Sequence, residues 1–298
     1  MSILIDENTT FIIQGITGRE AVTMTREVMD YGSKVLGGVT PGRKGRNVHG
    51  LPVEDTVRAF TERERVDASV VAVPPAFAAD AVFEAIEAGI KLVIIVTERI
   101  PRKQVAQFVE YADQNGTRII GPNCLGVISP GKARVGGVGG AAESTRRAFK
   151  PGVIGVMSRS GGMTVEISNA LSESGLGIST AVSIGGDAII GSTYAELMPL
   201  FDADPATKGI AIYSEPGGQS EAQLADYMRE SGSKLPIVAF MAGRFMDAMP
   251  GMRFGHAGTI VEGKADTTAE KIERMEAAGI RVAERIEDIP RFLQEQIG

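Results

Sequence analysis

The sequence predicts an α/β protein of two lobes, each built around a mainly parallel sheet. Three observations carry this expectation. Short apolar, β-branched runs alternate with helix-forming stretches, glycine-rich turns follow several of those runs, and 298 residues exceed the roughly 100 to 200 of one domain.

The first element is Thr10-Phe11-Ile12-Ile13-Gln14, a β-branched and aromatic run that stops at Gly15. Residues 20–31 are rich in helix formers and close at Gly32, so the chain opens as strand, turn, helix. The alternation repeats with apolar runs at 34–39, 68–73, 91–96 and 118–120, as expected of parallel strands covered on both faces. Between 131 and 151 the pattern breaks into Gly136-Gly137-Val138-Gly139-Gly140 and a polar, basic stretch, which reads as a connector. The expected division is a first domain over 1–130, a linker over 131–151 and a second domain over 152–298. In that second domain strands are expected at 153–157, 179–184, 209–213, 236–240 and 281–282, with helices at 163–174 and 268–278 among those between them.

Composition narrows the function. Hydrophobic residues at 43% and charged residues at 23% fit a folded globular chain. Asp plus Glu outnumber Lys plus Arg by 37 to 31, so the whole molecule offers no basic footprint for nucleic acid or an anionic membrane. Cys124 is the only cysteine, which rules out an internal disulfide, and with two separated histidines it makes a zinc site unexpected; no metal ligand is assigned. The start, Met1-Ser2-Ile3-Leu4-Ile5-Asp6-Glu7, lacks the pattern of a signal peptide, and no apolar run reaches the roughly 18 residues of a membrane span. A cytoplasmic location is expected.

In open α/β sheets ligands bind beyond the carboxyl ends of the strands, so the turns there are the candidate sites. Gly15-Ile16-Thr17-Gly18 joins the first strand to the first helix, where backbone N–H groups and the helix dipole can hold a phosphate; a ligand-free tight turn is the alternative. The turn is not Gly-x-Gly-x-x-Gly, and no acid closes the second strand at Val39-Thr40-Pro41, which disfavours NAD. Arg43, Lys44 and Arg46 follow instead, either to receive the phosphates of CoA or NADP or as a solvated run. The segment 37–44 departs from a P-loop, because Arg43 takes the lysine position and Lys44 the Ser/Thr position, so ATP is not expected there. Cys124, in Gly121-Pro122-Asn123-Cys124-Leu125-Gly126, lies near a substrate or serves as a small core hydrophobe.

In the second lobe Ser158-Arg159-Ser160-Gly161-Gly162 again sets small residues at a helix start, a second anion site. Ile184-Gly185-Gly186-Asp187 and Glu215-Pro216-Gly217-Gly218 follow later strands on the same expected edge. Glu215 therefore has the address of a group that orients a base, with a solvated acid as the alternative. His256, bracketed by Gly255 and Ala257-Gly258, has little steric cover and could accept phosphate, or be a loop histidine without a role. No Gly-x-Ser-x-Gly elbow marks a serine hydrolase.

These motifs together resemble the α subunit of succinyl-CoA synthetase, the CoA- and phosphohistidine-bearing half of the nucleoside diphosphate-forming acyl-CoA ligases. The resemblance runs nearly end to end and rests on Gln14-Gly15-Ile16-Thr17-Gly18, Gly37-Gly38-Val39-Thr40-Pro41-Gly42, Gly121-Pro122-Asn123-Cys124, Ser158-Arg159-Ser160-Gly161, Ile184-Gly185-Gly186-Asp187 and Gly255-His256-Ala257-Gly258. It implies a Rossmann-like CoA-binding domain followed by a flavodoxin-like ligase domain, with an ATP-grasp β subunit holding ATP or GTP and Mg²⁺ in a heterodimer or heterotetramer. It also implies that His256 carries phosphate between nucleotide and acid, that Glu215 orients it, and that Ser158, Ser160, Gly161 and Gly162 bind the phosphate. The CoA-contacting positions it implies are Gly15, Ile16, Thr17, Gly18, Arg43, Lys44, Val73, Pro74, Pro75, Val96, Thr97, Glu98, Asn123 and Cys124.

Departures from that pattern bear on the acid. Succinate enzymes typically read Ser-Gly-Thr-Leu-Thr-Tyr-Glu where this chain reads Ser160-Gly161-Gly162-Met163-Thr164-Val165-Glu166, which puts Gly162 and Val165 beside the acyl group. That run, with Gly191-Ser192-Thr193, is similar to ATP-citrate lyase and citryl-CoA synthetase. Ser214-Glu215-Pro216 replaces Gly-Glu-Ile, and residues 248–254, which include Arg253, hold fewer lysines. The expectation is a succinate or related dicarboxylate ligase subunit, with malate or citrate open. From other classes, an NADP-dependent oxidoreductase and a noncatalytic acyl-CoA sensor remain.

Overall fold

The computed structural model describes residues 2–298 except 253 and 262, so the expectations that involve Met1 and Arg253 lie outside the described residues. Among the described residues the strands form two seven-stranded sheets. The first holds β1 (Thr10–Gln14), β2 (Lys34–Val39), β3 (Asn47–Val48), β4 (Leu51–Glu54), β5 (Ala68–Val71), β6 (Leu92–Ile95) and β7 (Arg118–Ile120), in the order β3-β4-β2-β1-β5-β6-β7. All neighbours pair in parallel except β3 with β4. The helices of this lobe are α1 (Arg19–Tyr31), the short α2 (Arg58–Thr61), α3 (Pro75–Glu87) and α4 (Arg102–Gln114).

Strand and helix boundaries follow local chemistry. Every residue of β5 and β6 is buried, as strands covered on both faces require. α1 ends where Gly32 takes a left-handed cap and its N–H reaches back to the carbonyls of Val28 and Met29. Side chains of β1 alternate between layers: Phe11 and Ile13 join a cluster that runs on into the second lobe through Met157, Val182 and Leu197, whereas Ile12 packs under α3 and α4 with Ala78, Val82 and Phe108. The two lobes thus share a core.

The second sheet holds β8 (Gly126–Ser129), β9 (Ala133–Gly136), β10 (Pro151–Ser158), β11 (Ile178–Ser183), β12 (Gly209–Ser214), β13 (Ile237–Met241) and β14 (Arg281–Ala283), ordered β14-β13-β12-β10-β11-β8-β9. It is parallel from β14 to β11 and ends in the antiparallel hairpin β8–β9. Its helices are α5 (Ala142–Ala148), α6 (Gly161–Glu173), α7 (Tyr194–Asp202), α8 (Ser220–Ser231), α9 (Thr268–Ala277) and α10 (Asp288–Ile297).

The glycine-rich segment 131–151 differs from the connector expected of it. It contains β9 and α5, and the sheets change over between Ile120 and Gly126 instead. The reason lies in Arg134, fully buried in a four-residue strand, where a sequence pattern marks an arginine as solvated. Its guanidinium donates to the carbonyls of Gly136 and Gly140 and to Thr145 Oγ1, and pairs at 3.1 Å with Glu27 of α1, tying the lobes together. No helix of the described residues is long and apolar enough to cross a membrane.

Candidate active site

Two cavities open along the carboxyl edge of the sheets. The first, about 660 Å³, is lined by Gly15, Thr17 and Gly18 of the turn after β1, Thr40 after β2, and Val73 and Pro74 after β5. Gly15 is required here: its φ is +85°, and a Cβ would lie 2.7 Å from the Ala72 carbonyl oxygen. Ile16 is fully buried, so only its backbone can serve a ligand. Pro75 begins α3, and the exposed Phe77 in its first turn stands at the cavity wall, a residue the sequence reading did not single out. Arg43 and Lys44 are exposed, and Lys44 Nζ lies 3.3 Å from Glu54, which Arg63 also pairs at 2.5 Å.

The second cavity, about 730 Å³, is lined by Glu98, Asn123, Asp187 and His256 together with Arg99, Arg102 and residues 188–189. A chain of contacts leads from one cavity to the other. Thr97 Oγ1 donates to the Val73 carbonyl at 2.7 Å, and Asn123 N–H donates to the Thr97 carbonyl at 3.0 Å. Asn123 in turn donates from Nδ2 to Asp187 at 3.0 Å. Val96 is half-buried at the end of β6, on the same edge.

His256 is the chemical centre of this second cavity. Its Nδ1 lies 2.8 and 2.9 Å from the two carboxylate oxygens of Glu215. A carboxylate only accepts, so Nδ1 carries the proton and the neutral ring presents the lone pair of Nε2. Glu215 reaches this point from the turn after β12, is 7% exposed, and receives Thr259 Oγ1 at 3.4 Å. The hydrogen bond to Glu215 raises the His256 pKa above its ordinary value, against burial, which lowers it; the Arg159 charge also opposes the rise and that of Asp187 supports it. The ring rests on Gly186, where a Cβ would meet His256 Cγ at 2.4 Å.

Arg159 is the residue that the motif contained and sequence reasoning left without a role. It is 3% exposed, donates from Nη2 to the Asp187 carbonyl at 2.9 Å, and its Nε has no hydrogen-bond partner within the protein. The signal for it was a cation between two small polar residues at a strand end. Around it, Ser160 caps α6 by accepting from Met163 N–H at 3.4 Å, and Gly161 and Gly162 form the first turn, with open space beyond Gly162. The Ser158 hydroxyl is buried and occupied, donating to the Ser160 carbonyl at 2.6 Å, so it holds the turn.

Two of the expected site residues are engaged within the protein. The Cys124 thiol is buried and donates to the Ile95 carbonyl at 3.3 Å, and burial pushes its pKa up to about 12, so it stays a protonated thiol. Val165 is half-buried, one side packed against the core cluster of Ile128, Ile167 and Leu171. Among the described residues no group of three or more His, Cys, Asp or Glu side chains could hold a metal.

Comparison with known proteins gives this geometry a context. The CoA binding domain family matches residues 6–99 and the CoA-ligase family residues 157–281. The chain is 42% identical over 289 residues to the succinate–CoA ligase [ADP-forming] subunit alpha 1 of Archaeoglobus fulgidus, covering 97% of this chain and 96% of that protein. It is also 42% identical over 287 residues to the malate–CoA ligase subunit alpha of Methylorubrum extorquens, covering 95% and 94%. Among solved structures, the ATP citrate lyase of Methanosaeta concilii in complex with (3S)-citryl-CoA superposes with a TM-score of 0.91 at 26% identity over 99% of this chain, which spans 50% of that longer one. These matches displace the oxidoreductase reading.

Proposed function

Because the chain belongs to the family of succinate–CoA ligase alpha subunits and related acid–CoA ligases, we propose that it carries phosphate on His256 Nε2 while a small carboxylic acid is joined to CoA. The observation that carries this reading is the 2.8 Å contact between His256 Nδ1 and Glu215, which leaves Nε2 as a lone-pair nucleophile beside a cavity. In the proposed sequence Nε2 attacks the terminal phosphorus of a nucleoside triphosphate; the N–P bond forms and the diphosphate leaves. A carboxylate oxygen of the acid then takes the phosphoryl group, restoring the imidazole. The acyl phosphate yields to the CoA thiol, forming the thioester as phosphate departs.

The residues fit CoA as substrate. The Gly15 and Gly18 N–H groups donate to the Val39 and Gly15 carbonyls, so the Thr17 N–H and the first N–H groups of α1 are the donors that suit its phosphates, with Arg43 and Lys44 exposed in the turn after β2. The contacts from Val73 through Thr97 to Asn123 mark a path for the thiol arm toward Glu98 and His256. The proposed division gives CoA binding to residues up to 120 and ligation to those from 126. The α6 N-terminus, with Ser160, Gly161 and Gly162, receives the phosphorylated ring, and Arg159 supplies a fixed positive charge nearby. Nucleotide and Mg²⁺ are assigned to an ATP-grasp β partner. Succinate or a related dicarboxylate is the proposed acid, with malate and citrate as its competitors.

The test is to incubate the chain, co-expressed with its partner, with γ-labelled ATP or GTP, locate acid-labile label, and chase with CoA plus succinate, malate or citrate. Label on His256 discharged by one acid supports the reading and names the substrate. An active partner with no label on this chain overturns it and leaves a CoA sensor as the alternative.

A further inference from the structure

Lysine is almost never fully buried unless paired, yet Lys271 of α9 is 4% exposed. Its ammonium lies 2.6 Å from Glu221 Oε2, 2.5 Å from the Gly217 carbonyl oxygen and 3.1 Å from the Glu215 carbonyl oxygen. An ammonium has three N–H donors and no acceptor, so these partners exhaust it. Two of the three belong to the turn after β12 that presents the Glu215 carboxylate to His256. The third, Glu221, is 1% exposed in the first turn of α8, immediately beyond that turn.

A buried ion pair is weak support for stability, because desolvating both charges offsets most of their attraction and an apolar pair of similar volume does as well. What an apolar pair cannot do is bind two carbonyls. Irregular backbone between a strand and a helix has few partners of its own; here Gly217 N–H donates to the Asp266 carbonyl at 3.2 Å, and Lys271 takes the carbonyl side. The ammonium therefore sets where the Glu215 backbone stands, and with it the carboxylate.

We infer that Lys271, anchored by Glu221, is a positioning residue for phosphate transfer: it clamps the Glu215 and Gly217 carbonyls so that the Glu215 carboxylate meets His256 Nδ1. This rests on the phosphate-carrying role proposed for His256. Lys271 touches no reacting atom and acts through Glu215 alone.

The experiment is single-turnover labelling of His256 by γ-labelled ATP in the assembled complex, for wild type, Lys271→Met/Glu221→Leu, Glu215→Gln and the three substitutions together. Removing both buried charges avoids an uncompensated one, so the double variant is expected to assemble and to bind CoA as wild type does, with a melting temperature lowered by the two carbonyls it releases. Its labelling is expected to slow about tenfold, and in the Glu215→Gln background the same two substitutions are expected to change the rate less than twofold, because groups acting through one carboxylate are not additive. Labelling at the wild-type rate, or a loss that adds in full to that of Glu215→Gln, overturns the inference. Should the double variant fail to assemble, Lys271→Arg keeps the charge while displacing its head, and the same additivity test decides. A wild-type complex that never labels on His256 removes the phosphate-carrier reading itself, which separates that failure from this one.

Discussion

In the first lobe the cavity is walled by the turns that directly follow β1, β2 and β5 together with α3, which adds Phe77, Asp80 and Glu84, while Arg43 and Lys44 lie exposed in the turn after β2. In the second lobe the centre is made of side chains from far-separated turns: Arg159, Glu215 and His256 meet across nearly a hundred residues and are drawn largely out of water. A backbone site is secured by the fold and is insensitive to most substitutions short of a steric block. A charged cluster depends on each member, because a buried group that loses its partner keeps its desolvation cost. The two sites should therefore separate cleanly under mutation, and that separation can be broken.

The largest effect is expected from His256→Asn, which should abolish phosphoenzyme formation while leaving CoA affinity within about twofold, as an interaction confined to one site should. Isotope labelling and calorimetric CoA titration on the same preparation check both halves. A parallel loss of CoA affinity would mean that the two cavities act as one site, and the comparison would fail.

Glu215→Gln should slow phosphorylation by about 10²-fold, the scale of a lost orienting or proton-holding group. Its pH profile carries a sign. Attack needs the neutral ring, and Glu215 holds the His256 pKa above the ordinary value, so the wild-type rate climbs as pH rises through that raised pKa. Without the carboxylate charge the pKa falls, and the ascending limb should move to lower pH even as the plateau drops. For stability the same raised pKa means that the His256–Glu215 pair contributes fully below the unfolded-state pKa and loses its contribution as pH rises through the folded one. An ascending limb that stays in place would show that Glu215 does not govern this ring.

This contrast also explains what could be read in the sequence. The turn Gly15 to Gly18 was legible because strand, turn and helix are contiguous, and local patterning reports contiguous structure. The pairing of Glu215 with His256, 41 residues apart, has no local signature; residue by residue both had ordinary alternatives, and only the ordered set of motifs joined them. Lys271 and Glu221 were invisible for a stronger reason. Each sits on a helix otherwise rich in exposed charge, so its burial follows from packing around the turn between them. The hairpin β8–β9 was hidden in the same way by Arg134 and by strands too short to show a period.

In the first lobe, Gly15→Val should act only on CoA. The new side chain must accept a φ of +85° and a Cβ 2.7 Å from the Ala72 carbonyl oxygen, strain of about 1–3 kcal/mol that the turn can relieve only by shifting. A CoA dissociation constant raised about tenfold, equal to about 1.4 kcal/mol, with phosphohistidine formation within twofold, is the expected pattern. Slowed labelling in this variant would show that the first lobe's turn communicates with the second cavity.

The smallest effect tests the rim. Lys44 is exposed and pairs with Glu54, but Arg63 holds the same carboxylate, so Lys44→Ala leaves Glu54 partnered and should leave stability nearly unchanged. If Lys44 receives a CoA phosphate, its loss should weaken CoA binding about threefold at low ionic strength. The difference should close as salt rises, because exposed charges are screened within about 10 Å at 0.1 M. If wild type and variant bind CoA equally at every salt concentration, Lys44 is a solvated charge held by Glu54, and the first lobe's grip on CoA is carried by backbone donors and apolar walls.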